Sequence, residues 1–122
     1  MGASFGGCIV QNIAHRYPEL TKSIVLSCSF PKWNIRGQLY AEARLEFMKK
    51  NAPDEAIVKF VTLLTWSEKF LSKPDMAEQL VRGGAHPITL KGYINQMHAV
   101  STFDSTAWLN KIKCPCLSLI HI

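Results

Sequence analysis

"MGASFGG", residues 1–7, decides how this chain is read. It sets a single serine, Ser4, between Gly2 and Gly6. The spacing Gly2-x-Ser4-x-Gly6 fits a nucleophile elbow, the sharp strand-to-helix turn that displays a reactive hydroxyl. Both flanking positions must then be small, because strand and helix approach closely around the serine. The competing reading is a glycine-rich start in which Ser4 only caps a helix.

The next thirty residues favour the elbow. Cys8, Ile9, Val10, Ile13, Ala14 and Tyr17 recur at helical spacing, with Gln11, Asn12, His15 and Arg16 between them. This predicts a helix over 6–17 that stops before Pro18, since the residue preceding a proline avoids the helical region. "SIVLSCS", residues 23–29, is a short apolar and β-branched run, expected as a strand buried on both faces. Turn, helix and strand in that order make one crossover of a parallel sheet.

From Gln38 to about Leu109 the pattern becomes helical. Leu39, Ala43, Phe47 and Met48 mark a first amphipathic helix. Asn51 is the expected cap of a second, with Pro53 near its first turn and Asp54 and Glu55 at its positive end. Its apolar face reads Ile57, Phe60, Val61 and Leu64. A third helix runs from Pro74 through Met76, Leu80 and Val81 to Gly83-Gly84, a natural stop. A fourth follows Pro87, with Leu90, Ile94 and Met97 inward. Asp104 then reads as the cap of the short turn "STAWL", and "CPCLSLIHI", residues 114–122, returns to a strand pattern up to about Ile120. The expected organisation is α/β: a core-sheet segment over 1–36, helices over 37–109, and a return to the sheet over 110–122.

Composition narrows the function classes. The 122 residues are 48% hydrophobic and 19% charged, which is ordinary for a folded domain and wrong for a disordered one. Lys and Arg outnumber Asp and Glu by 14 to 9, giving a net charge of +5. The basic residues are scattered from Arg16 to Lys113 without a stripe or an aromatic-interleaved patch, so a solvated surface is expected rather than a nucleic-acid interface. No run approaches a membrane span. Cys114-Pro115-Cys116 has one residue between its thiols and no second pair, so no metal site is expected. Cys8 and Cys28 lie in apolar runs and are expected as small buried hydrophobes of a reduced, cytoplasmic protein.

These residues carry a resemblance over nearly the whole chain. "GASFGGCIVQNIAHRYPELTKSIVLSCS" resembles the elbow, following helix and next strand of the α/β-hydrolase fold. "AWLNKIKCPCLSLI" is similar to that family's re-entry into the sheet before the catalytic acid. "MHAVSTFDSTAWLNKIKCPCL" looks most like the branch of small esterases and enol-lactone hydrolases. The resemblance implies a partial α/β-hydrolase fold with an inserted helical cap. It implies Ser4 as nucleophile and the Phe5 backbone amide as one oxyanion donor, with no cofactor and a small-molecule acyl substrate as partner. Trp33, Trp66 and Met97 are the candidate pocket wall, against a competing role in plain core packing.

The family's acid, histidine and second oxyanion loop have no counterparts in these residues, so the chain reads as an internal piece that is inactive alone. Of the histidines present, His15 is expected to be solvated and His98 to be partly buried and structural. His86 precedes a helix start and His121 sits in the final strand. The ending "CLSLIHI" departs from the family's glycine and acidic turn and is similar to a translated sequencing-adapter tail. A non-catalytic small-molecule receptor on the same fold is the alternative function.

Overall fold

A computed structural model of the chain describes residues 1–84 and 88–120. The expectations for His86, Pro87 and His121 lie outside the described residues. The chain divides into two compact units, one of residues 1–38 and 98–122 and one of residues 39–97. The sequence groups 98–109 with the helical segment. In the structure they cluster with the sheet, because Ser105 hydrogen-bonds the chain that leaves the second strand.

The first unit holds a three-stranded parallel sheet in the order β1-β2-β3. Strand β1 is Gly2–Ala3, helix α1 is Phe5–Arg16, β2 is Ile24–Ser27 and β3 is Cys116–Leu119. Gly2 pairs with Leu26 and Ala3 with Ser27, while Ile24 to Ser27 run beside Cys116 to Leu119. The expected β-α-β crossover is therefore present. Its core is Ala14, Ile24 and Leu26, with Val10, Ile112 and Cys114 packed against it. Strand β2 ends at Ser27 because Cys28 turns the chain away with φ 50°. Cys28 is exposed there, not buried as the apolar run implies, whereas Cys8 is buried.

Helix α1 presents a different face from the one its apolar spacing predicts. Gly7, Cys8, Gln11 and Ala14 form the buried stripe, while Ile9 and Ile13 are half exposed. Gln11 is buried because it holds a polar knot. Its Nε2 donates to the Phe30 carbonyl at 3.1 Å, and its Oε1 accepts from the Ser105 hydroxyl at 2.7 Å. Ser105, fully buried, also donates its backbone N–H to the Pro31 carbonyl at 2.8 Å. One side chain thus ties α1 to two segments far away in sequence. Replacing it by an apolar side chain removes the amide donor of the part-buried Phe30 carbonyl and leaves the buried Ser105 hydroxyl only Pro31 as acceptor, at a cost of about 1–3 kcal/mol. Gln11→Leu is expected to lower stability by roughly 2 kcal/mol in chemical denaturation, against less than ~1 kcal/mol for the half-exposed Ile13→Ala.

The second unit is helical. It contains most of α2 (Ile35–Lys49), then α3 (Asp54–Thr65), α4 (Glu68–Leu71), α5 (Met76–Gly84) and most of α6 (Leu90–Ser101). Helix α2 starts earlier than its apolar pattern implies, because Asn34 Oδ1 accepts the Gly37 N–H at 2.9 Å and caps it. Asn51 closes α2 instead of opening α3. It adopts φ 51°, its N–H bonds the Met48 carbonyl, and the Ala52 N–H reaches back to Phe47. That is a Schellman ending with asparagine in place of the usual glycine.

The inward faces are also rotated from the expected ones. Ala41 is the buried residue of α2, and Leu39 is exposed. On α3, Ile57 and Thr62 are buried and Leu64 is exposed. On α6, Tyr93 and Val100 are buried, while Leu90 and Ile94 are exposed. Each of these helices carries apolar residues on more than one side, so periodicity identifies the helix without fixing its rotation. Among the described residues no helix is long and apolar enough to cross a membrane.

Candidate active site

The elbow is built from Gly2 to Gly7. Ser4 follows β1 directly and stands before the first residue of α1 with φ 49° and ψ −122°. A β-carbon in that region of backbone space is strained by roughly 1–3 kcal/mol, and such strain collects at functional sites. The conformation is held from both sides. The Ser4 N–H donates to the Ser27 carbonyl at 2.9 Å, extending the β1–β2 ladder, and the Ser4 carbonyl accepts from Gly7 N–H at 3.0 Å. The side chain makes no capping bond to α1, and the residue is exposed. The capping reading of Ser4 is therefore removed.

The glycines divide differently from the motif. A β-carbon on Gly2 would strike the Gly6 carbonyl oxygen and come within 2.7 Å of the Gly7 nitrogen. One on Gly7 would strike the Ser29 side chain. One on Gly6 would meet nothing within 4 Å. The strand-to-helix approach therefore demands Gly2 and Gly7, and the expected steric need at Gly6 is not found. The doublet Gly6-Gly7 was the only sign of this in the sequence, which does not say which of the two is crowded.

The Phe5 and Gly6 amides begin α1 and have no backbone acceptor among the described residues. A helix start leaves such donors open and carries positive partial charge. Ser4 thus stands at the carboxyl end of a parallel strand with free amides immediately after it. Open α/β sheets bind ligands beyond this edge.

The described histidines do not join Ser4 in a hydrogen bond. His15 is half-buried and stacks on Trp108 with ring centroids 4.5 Å apart, so it is not the solvated residue expected. His98 is exposed on α6, not partly buried. Asp104 does what its cap reading predicts, accepting the Thr106 N–H at 3.0 Å, and it also pairs with Lys32 at 2.8 Å.

The Lys32 ammonium, and after it the Thr106 donors, hold the Asp104 carboxyl down at about 2. A carboxylate whose pKa falls on folding stabilises the fold above its unfolded value, and that contribution is lost as pH drops toward the folded value. Acid titration is expected to weaken the wild type between about pH 4 and 2 more than Asp104→Asn, read by circular dichroism.

Of the remaining candidates, Trp33 stacks on Phe30 and its indole lies over Gly37, a packing arrangement. Trp66 stacks on Phe70 at 4.7 Å and lines a cavity of about 340 Å³ in the helical unit. Met97 is half-buried on α6. No cluster of three or more potential metal ligands exists among the described residues.

A parallel β-α-β unit with a strained, exposed serine at its turn defines a class. The chain belongs to the alpha/beta hydrolase fold family, whose model matches residues 1–117. It is 31% identical over 121 residues to RutD of Agrobacterium fabrum (strain C58), which bears the name of a carbamate hydrolase. That match covers 96% of this chain and 45% of the relative. A second RutD, from Pseudomonas syringae pv. syringae (strain B728a), is 26% identical, over 99% of this chain and 47% of its own length. The chain spans less than half the length of these curated relatives.

Two solved structures share the fold over 96% of this chain with a TM-score of 0.78. One is MGS-M2, an alpha/beta hydrolase enzyme from a Medee basin deep-sea metagenome library, at 22% identity and 44% of its length. The other, at 21% identity and 45% of its length, bears the name of a non-heme bromoperoxidase, BpoC, from Mycobacterium tuberculosis H37Rv.

Proposed function

We propose that Ser4 is the nucleophile of a serine hydrolase that cleaves an ester, lactone or related acyl bond. The observation that carries this reading is the exposed Ser4 side chain, uncapped, on a backbone held at φ 49°. In the first step Oγ bonds the acyl carbon as its proton passes to a base, and the leaving alcohol takes that proton as the acyl bond breaks. Water then repeats the sequence on the acyl-serine and releases the acid. The Phe5 N–H donates to the oxyanion in both steps, a contact worth about 3 kcal/mol in comparable sites. The base and the acid are proposed to lie outside the described residues, since His15 is committed to Trp108 and Asp104 to Lys32. The relatives' name adds carbamates to the acyl compounds that merit trial.

The test is labelling of the whole protein with a serine-directed fluorophosphonate. One modified residue is expected, mapped to Ser4 by mass spectrometry and absent in Ser4→Ala. Labelling elsewhere, or none, would favour the non-catalytic receptor.

A further inference from the structure

We infer that Arg44 forms the anchor of a second binding site, inside the helical unit, for a small molecule with an apolar body and a carboxylate head. Arg44 lies on α2, and the positions three and four residues away on either side are Tyr40, Ala41, Phe47 and Met48. None is acidic, so the helix supplies no intrahelical ion pair. Among the described residues no carboxylate lies within ion-pair distance of its guanidinium. Other helical cations differ, since Lys49 pairs with Glu46, Lys59 with Glu55 and Arg82 with Glu78.

The guanidinium is held by its neighbours, although Arg44 as a whole is only half-buried. It stacks over the Tyr93 ring at 4.8 Å, and one terminal nitrogen donates to the Tyr40 hydroxyl at 3.4 Å. Tyr93 is itself buried and donates to the Ala41 carbonyl at 3.3 Å. Burial pushes that phenol up to about 12, so it stays neutral and supplies no negative charge. Arg44 Nε is buried and has no hydrogen-bond partner, an unusual state for an atom that always carries a proton.

That cation lines the cavity of about 340 Å³ together with Trp66, Val58, Val61 and Leu80. Thr62, Thr65 and Gln79 also line it. Apolar walls with one fixed guanidinium select an apolar acid over its neutral analogue. Guanidinium and carboxylate meet through parallel N–H···O bonds. The site is independent of the chemistry proposed for Ser4.

The experiment is a titration of the chain with phenylacetate and with phenylacetamide, its neutral isostere, followed by heteronuclear NMR. The reporters are the Arg44 Nε–H resonance and the backbone amides of Gly83 and Gly84, which also line the cavity. Saturable shifts with phenylacetate and at least tenfold weaker binding of phenylacetamide are expected. In Arg44→Gln that preference is expected to collapse toward onefold. Equal affinity for acid and amide, shifts that do not saturate, or saturation that bypasses all three reporters would overturn the site. The acid-to-amide ratio of the unaltered protein decides the matter even where Arg44→Gln does not fold.

Discussion

With Ser4 as the proposed nucleophile, Ser4→Ala is expected to lower acyl-bond hydrolysis by the whole protein by about 10⁴-fold or more, because no other step would replace covalent attack. The loss should fall on kcat, with substrate binding little changed. Ser4→Gly separates this role from a structural one. Glycine occupies φ 49° without the steric strain of a β-carbon, so it is expected to stabilise the fold by about 1 kcal/mol while abolishing activity. Thermal denaturation and a turnover assay on the two variants read both effects. A serine placed only for folding would give the opposite pattern, with lower stability and retained turnover.

Gly2→Ala is expected to destabilise the fold by about 3 kcal/mol or more, the upper range for forcing atoms into a filled space. The atoms in the way are the Gly6 carbonyl and the Gly7 nitrogen, and backbone at the start of a helix cannot rotate aside as a side chain would. Gly6→Ala should instead be neutral or stabilising by up to ~1 kcal/mol, because its added carbon meets nothing within 4 Å and alanine favours the helix. Urea midpoints of the two variants make the comparison. Similar losses at both positions would contradict the packing described for the turn. Two glycines placed symmetrically about Ser4 thus differ by several kcal/mol in what the fold requires of them.

The helices show where sequence reading stops. Asp54 and Glu55 open α3 as their chemistry predicts, whereas Gly83 and Gly84 lie within α5 itself. Asn51 misleads because asparagine serves two ends of a helix for different reasons. Its side chain accepts hydrogen bonds at a start, and its backbone tolerates positive φ at a finish. Only the turn that follows decides between them. Gln11 misleads more deeply. Polar and flanked by Asn12, it reads as a solvent-facing residue, yet its partners Phe30 and Ser105 are 19 and 94 positions away. Arg44 carries a faint signal, an α-helical arginine without an acid one turn off, but its isolation is a property of the packed unit.

What the sequence settled by itself is local: a strand-to-helix turn at Ser4, the crossover that follows, and a helical stretch before the chain returns to the sheet. Those features rest on bond geometry and side-chain spacing within a few residues, which composition at each position dictates directly. The folded chain alone decided which glycines are crowded, which helix faces turn inward, and which polar groups find partners. Such outcomes depend on atoms brought together from distant positions. Nearly equal apolar faces on one helix differ only by what packs against them.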